Sequence, residues 1–285
     1  MAKILRGAPV AERICEELRP RVLSLKERGV EPCLAIVRMG ENAGDLAYEG
    51  AAKKRCASLG VEVRVFALAQ DADERELLSV IDGINKADDI HACLIMRPFP
   101  PHINEDEVCE FLDIHKDVDC VTSYSLSRVF SGYGEGFFPC TAESCMAILD
   151  HYGYELSGAR VAVIGRSLVI GRPVSIMLQD RDATVTMCHT KTKNLPKVCR
   201  NKDILLVAAG RAGVVDERFV NENQVIIDVG INGDEDGKIV GDVDFAAVSN
   251  LVRAITPVPG GVGSVTASIL AKHVIEAAER QTKNK

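Results

Sequence analysis

The sequence predicts an α/β fold with two domains, and three observations predict it. Strand-like and helix-like segments alternate along the whole chain, the pattern of parallel sheets covered by helices. An apolar β-type run ends directly in a glycine turn, Gly165 to Gly171, with a helix expected beyond it. The length, 285 residues, suits about two compact domains.

Taken in order, residues 33–38 (CLAIVR) form a short apolar run of strand character. Residues 46–59 read as a helix, with Gly60 placed to end it. Residues 61–67 (VEVRVFA) return to a strand pattern. Residues 72–86 are amphipathic, with Leu77, Leu78, Ile81 and Ile84 on one side. A third strand, 91–96 (HACLIM), is halted by Pro98, Pro100 and Pro101. This is βαβαβ. A second series begins near residue 140 with a helix at 141–152. Strands follow at 160–164, 183–188, 203–209 and 224–231, and a helix runs from about 264 to 281. There are no internal repeats or low-complexity tracts, and no flexible linker marks the boundary near 140.

Composition narrows the class. Hydrophobic residues make up 47% and charged residues 26%, which supplies real cores and an ordinary surface. The net charge of −7 argues against a nucleic-acid partner. No apolar run is long enough to span a bilayer, so no membrane role is expected. The start, MAKILRGAPVAERICEEL, lacks the apolar core of a signal peptide. Ten cysteines are scattered without a CxxC pair, so no metal site is expected. They read as buried free thiols of a cytoplasmic protein.

The loop Gly165-Arg166-Ser167-Leu168-Val169-Ile170-Gly171 carries the first functional signal. Strand, glycine turn and helix, with Pro173 in the first turn, point backbone N–H groups at a pyrophosphate. The loop departs from GxGxxG, so an ordinary βα turn is the plain alternative. The next strand discriminates between cofactors. An NAD site tends to place an acid at its end, to bond the ribose 2′-hydroxyl. Here it ends in Cys188-His189-Thr190-Lys191, with Arg166 nearby. Cations and hydroxyls suit a 2′-phosphate, so NADP is expected over NAD. A solvated surface turn is the alternative reading of Lys191 and Lys193.

GRSLVIGRP, then CHTKTKNL, DVGIN, GDVDF and TPVPGGVGSVT together resemble the methylenetetrahydrofolate dehydrogenase/cyclohydrolase family, over nearly the whole chain. The resemblance implies a folate-binding catalytic α/β domain (1–139 plus 264–285), to which the last helix returns. It implies a Rossmann-type domain at 140–263, with the active-site cleft between the two. It implies NADP-dependent oxidation of 5,10-methylenetetrahydrofolate to the 5,10-methenyl form, hydrolysis of that product to 10-formyltetrahydrofolate in most members, and a homodimer. Cofactor contacts are implied at Gly165, Arg166, Ser167, Gly171, Arg172, His189, Thr190, Lys191, Ala209, Gly210, Ile231, Gly263 and Thr266. Folate contacts are implied at Tyr48, Met96, Pro98, Asp119, Pro257, Gly260 and Gly261, with Tyr48 and Asp119 catalytic. Without the resemblance Asp119 is only a loop carboxylate.

The chain departs from the family on the folate side. The family places a lysine four residues after the tyrosine; Tyr48 here is followed at that spacing by Ala52. The glutamine that contacts the lysine, in Val-Gln-Leu-Pro-Leu-Pro, is Met96 in Ile95-Met96-Arg97-Pro98. Cys120 stands where a glycine normally follows the acid. Hydride loss needs alignment more than a proton acceptor. Ring hydrolysis needs proton transfers, and a positioned acid or base is worth about 10²–10⁴-fold. The expectation is therefore a dehydrogenase with weak or absent cyclohydrolase activity. The alternative is a bifunctional enzyme in which Arg97 or Lys53 supplies the missing cation. Two further rivals are a shikimate-type dehydrogenase, which PVPGGVG disfavours, and a non-catalytic folate or nucleotide binder. NADP binding without reduction on adding methylenetetrahydrofolate would mark the latter.

Overall fold

The computed structural model describes residues 1–234 and 236–283. The chain opens on β1 (Lys3–Ile4) and α1 (Gly7–Glu27). The expected βαβαβ follows as β2 (Cys33–Met39), α2 (Ala43–Leu59), β3 (Glu62–Leu68), α3 (Glu74–Lys86) and β4 (Ala92–Ile95). These three strands form a parallel sheet in the order β3-β2-β4, with Val37 opposite both Phe66 and Ile95. Helix α2 starts at Asn42, whose side chain accepts the Gly44 N–H, and stops at Gly60 in the left-handed region, φ 76°. Leu77, Ile81 and Ile84 of α3 pack with Cys33, Ala35, Val37 and Met39 of β2 and with Cys93 and Ile95 of β4. Alternate strand residues thus enter one core, as a pleated sheet requires. Two short helices missed in the sequence, α4 (Glu105–Phe111) and α5 (Ser123–Ser131), follow. At seven and nine residues they hold too few turns for a clear apolar period.

The second series contains α6 (Cys140–His151), β5 (Arg160–Ile164), α7 (Gly171–Gln179), β6 (Thr184–Cys188), α8 (Leu195–Arg200), β7 (Ile204–Val207) and β8 (Val225–Asp228). A two-stranded antiparallel ribbon, β9 (Asn232–Gly233) and β10 (Ile239–Val240), comes next. The chain continues through α9 (Phe245–Val248), β11 (Ala254–Ile255) and α10 (Gly263–Lys283). The larger sheet runs β1-β11-β8-β7-β5-β6 and is parallel throughout. Expected strands 203–209 and 224–231 are each shorter than their apolar runs. Their last residues leave the ladder to build the loops described below.

The chain divides into two compact units, Met1–Glu12 with Thr141–Thr266, and Arg13–Cys140 with Ala267–Lys285. This corrects the expected division at the N-terminus, where residues 1–12 join the Rossmann-type unit. The cause is pairing: β1 lies beside β11 with Lys3 opposite Ala254, and the Gly7 N–H donates to the Gly260 carbonyl at 2.9 Å. Two residues in ladder form leave too short a run to read from sequence.

Candidate active site

In the Rossmann-type unit the expected cofactor residues gather at the C-terminal ends of β5, β6, β7, β8 and β11, where parallel α/β sheets bind ligands. The loop after β5 begins with Gly165 at φ 135°, its N–H donating to the Cys188 carbonyl at 3.0 Å. A Cβ on Gly165 would run into the Ala208 carbonyl, and one on Gly171 into the Gly165 carbonyl. Glycine is therefore required at both ends of the loop. The Ser167 hydroxyl accepts the Ile170 N–H at 3.2 Å, and no side chain caps the start of α7. This glycine cradle under an uncapped helix start fits a dinucleotide pyrophosphate. Arg166, Ser167 and Arg172 are exposed around it.

After β6, His189 to Thr192 form a tight turn. The His189 N–H donates to the Thr192 hydroxyl at 2.9 Å, and the His189 Nδ1 accepts the Lys191 N–H at 3.1 Å. That places the imidazole proton on Nε2. Thr190 and Lys191 are exposed beside it, and no acid occurs in the turn.

After β7, Asp242 organises the next loop. Its carboxylate accepts three successive backbone N–H groups, from Ala209 at 2.6 Å and from Gly210 and Arg211 at 2.9 Å, and the Asn232 side chain at 2.9 Å. Asp228, at the end of β8, accepts the N–H groups of Gly230, Asp242 and Val243 at 3.0–3.1 Å. Burial outweighs these bonds and pushes its carboxyl up to about 6. Sequence reading gave neither acid a role, although both lie in the DVGIN and GDVDF motifs. Ile231 is 69% exposed and faces the Gly263 position. Gly261 packs against Pro257 and the Thr256 side chain, and a Cβ on Gly7 would strike the Gly261 carbonyl. The PVPGG segment is thus latched to the N-terminus. Thr266 is buried, its hydroxyl donating to the Val262 carbonyl at 3.4 Å.

In the other unit Tyr48 is carried by α2. Its hydroxyl is buried, has no hydrogen-bond partner among the described residues, and lies in the field of Asp119 and Cys140. Desolvation, chiefly, holds its pKa well above 10.0. A buried hydroxyl without a partner is costly unless a ligand completes it. Asp119 accepts the Cys140 N–H at 2.9 Å, and burial raises its carboxyl pKa. Asp117, two residues earlier, has a different task. It is wholly buried and accepts the N–H groups of Val121 and Thr122 and the Thr122 hydroxyl at 2.7–2.9 Å. Cys120 lies between these acids and Thr122 at φ 60°, which explains why a glycine is favoured there.

Ala52 is 0% exposed and Met96 5%, so both departures are buried apolar side chains. Lys53 is half-exposed, and its ammonium lies 3.5 Å from Glu49. Arg97 reaches Glu105 at 3.4 Å, and the same carboxylate accepts the Phe99 N–H at 3.2 Å. Pro98 is exposed. A cavity of about 830 Å³ at the N-terminal end of this sheet is lined by none of the expected folate residues. Its Arg64 is bound to Glu62 and Asp89, and its Lys116 to the carbonyls of Ile84, Asn85 and Ala87.

No group of three or more His, Cys, Asp or Glu among the described residues could hold a metal ion, and no helix among them is long and apolar enough to cross a membrane. The model of the tetrahydrofolate dehydrogenase/cyclohydrolase catalytic domain matches residues 5–119, and that of the NAD(P)-binding domain matches residues 139–282. The bifunctional protein FolD of Carboxydothermus hydrogenoformans is 49% identical, covering 98% of both chains. The crystal structure of the bifunctional FolD of Campylobacter jejuni superposes with a TM-score of 0.95 at 37% identity, over 98% of this chain and 99% of that one. The Trypanosoma brucei enzyme, complexed with NADP cofactor and an inhibitor, gives 0.94 at 30% identity over 99% of each. This chain belongs to the tetrahydrofolate dehydrogenase/cyclohydrolase family.

Proposed function

We propose that the chain oxidises 5,10-methylenetetrahydrofolate to 5,10-methenyltetrahydrofolate with NADP, and that it hydrolyses the product weakly or not at all. The observation that carries the second half is the burial of two apolar residues, Ala52 and Met96, where the family has a lysine and a glutamine.

Bound NADP supplies the hydride acceptor. The glycine cradle at 165–171 seats its pyrophosphate, and His189, Thr190 and Lys191 meet the 2′-phosphate; the absence of an acid there favours NADP over NAD. Asp242 holds 209–211 against the nicotinamide end. Tyr48 packs on the folate and Asp119 holds the pterin. Hydride departure leaves a delocalised cation and needs only alignment. Hydrolysis additionally needs a group to move protons during ring opening, worth about 10²–10⁴-fold, and none stands at position 52.

The second reading, a bifunctional enzyme, is favoured by the names of relatives such as that of C. hydrogenoformans. It needs Arg97 or Lys53 to leave its carboxylate partner, Glu105 or Glu49. A paired assay decides: NADPH formation from methylenetetrahydrofolate, and decay of methenyltetrahydrofolate above the buffer rate. Decay as fast as hydride transfer would overturn the proposed loss.

Two coarser proposals accompany this. A homodimer forms through β6, the longer of the two edge strands of the large sheet. A reducing, cytoplasmic location suits ten cysteines that are all buried and joined in no disulfide.

A further inference from the structure

Helix α2 positions Tyr48, yet little apolar surface holds it to the sheet. Its buried residues are Glu49, Ala52, Cys56 and Leu59. In the first two turns only Glu49, the residue after Tyr48, is buried. Its partner is Arg38 on β2, whose Nε donates to Glu49 Oε2 at 2.8 Å while Nη1 donates to the Gly40 carbonyl. The two side chains are 13% and 10% exposed.

Arg38 comes from a telling place. Cys33, Ala35, Val37 and Met39 of β2, with Cys93 and Ile95 of β4, point into the core beneath α3. Alternation sends Arg38 and Met96 to the opposite face, toward α2. The register pairs Val37 with Ile95, and the Met96 N–H donates to the Val37 carbonyl, so Arg38 and Met96 lie side by side. On the helix, Glu49 and Ala52 are three apart and share a face.

We propose that the Arg38–Glu49 pair positions Tyr48, standing in for the helix-to-sheet tie that a lysine at 52 and a glutamine at 96 would make. The tie has moved one strand over and about one turn back, with the carboxylate now on the helix and the cation on the sheet. An arginine stays charged and moves no proton. The relocated tie therefore holds the folate side in register for hydride transfer and contributes nothing to ring hydrolysis. This last consequence rests on the proposed loss of hydrolysis; the positioning role does not. Lys53, half-exposed on Glu49, is a minor member, because an exposed pair contributes little.

The test is Glu49→Gln and, separately, Arg38→Met, assayed for hydride transfer with each substrate varied. The KM for methylenetetrahydrofolate is expected to rise by about tenfold or more, since small displacements of a positioning group are costly. The KM for NADP should stay within about twofold, because its cradle is in the other unit. The exchanged pair, Arg38→Glu with Glu49→Arg, should recover part of the folate KM. Ala52→Lys with Met96→Gln, placed in the Glu49→Gln background, should recover it by remaking the other tie, and should raise hydrolysis. An unchanged folate KM in both single variants overturns the proposal. So does a parallel rise in both KM values with a lowered melting temperature, the mark of general destabilisation. Hydrolysis by the unaltered chain at the rate of hydride transfer overturns the functional reading alone, while the KM pattern still decides the tie.

Discussion

Asp228 and Asp242 stand one hydrogen bond apart and between them hold six backbone N–H groups, three each. Asp242 gains a fourth donor from Asn232. Burial dominates at Asp228 and lifts its carboxyl from 3.8 to about 6. The folded chain thus holds the Asp228 proton more tightly than the unfolded chain. Its stabilising contribution is full below the unfolded value of 3.8 and is lost as pH rises through about 6. The rise corresponds to about 3 kcal/mol. Unfolding by urea should show the stability difference between the native chain and Asp228→Asn shrinking by up to that amount between pH of about 4 and about 6.5. A difference independent of pH would remove the titration of Asp228 from the account. Side chains two positions apart also divide labour at Asp117 and Asp119. Asp117 satisfies a turn, whereas Asp119 accepts the Cys140 N–H and acts electrostatically on the Tyr48 hydroxyl, and spacing alone does not separate them.

The decisive element for the cofactor is the β5–loop–α7 unit. Gly165 combines φ 135° with no room for a Cβ beside the Ala208 carbonyl. Gly165→Ala must therefore shift the loop, at a cost of about 1–3 kcal/mol of strain. NADP affinity should fall by about tenfold or more, as the amides no longer converge on the pyrophosphate. Fluorescence titration with NADPH checks this, and an unchanged dissociation constant would mean that the loop does not seat the pyrophosphate. The strand, turn and helix here were legible from the apolar run, the glycines and Pro173. Helix α2 was legible from residue 46 to its stop at Gly60, but not in its first residues, its Asn42 cap or its anchoring. Its buried stripe contains a carboxylate, and only the position of Arg38 on the neighbouring strand makes that tolerable.

For the molecule as a whole, β6 ends the large sheet with an unpaired edge, and Met187 on it is 39% exposed. An open edge of this kind invites pairing with a second copy. The chain should therefore sediment as a dimer, and Met187→Asp should yield a single-chain species with its hydride-transfer chemistry still measurable. A native chain that sediments as a single copy would end the dimer proposal.

The sequence by itself determined the α/β class, the order of the longer strands, the glycine loop and the preference for NADP. Each is a local property: a period, a turn residue or a residue type at a fixed spacing. The missing lysine and glutamine emerge only against the family resemblance. The tertiary structure decided the rest. Residues 1–12 join the Rossmann-type unit through a two-residue strand. Asp242 serves a loop more than thirty residues away. Arg38 meets Glu49 across a helix–sheet contact, and Arg97 and Lys53 already hold carboxylates. These follow from chain segments brought together by pairing and burial, and no pattern along the chain encodes which distant partner a charge will find.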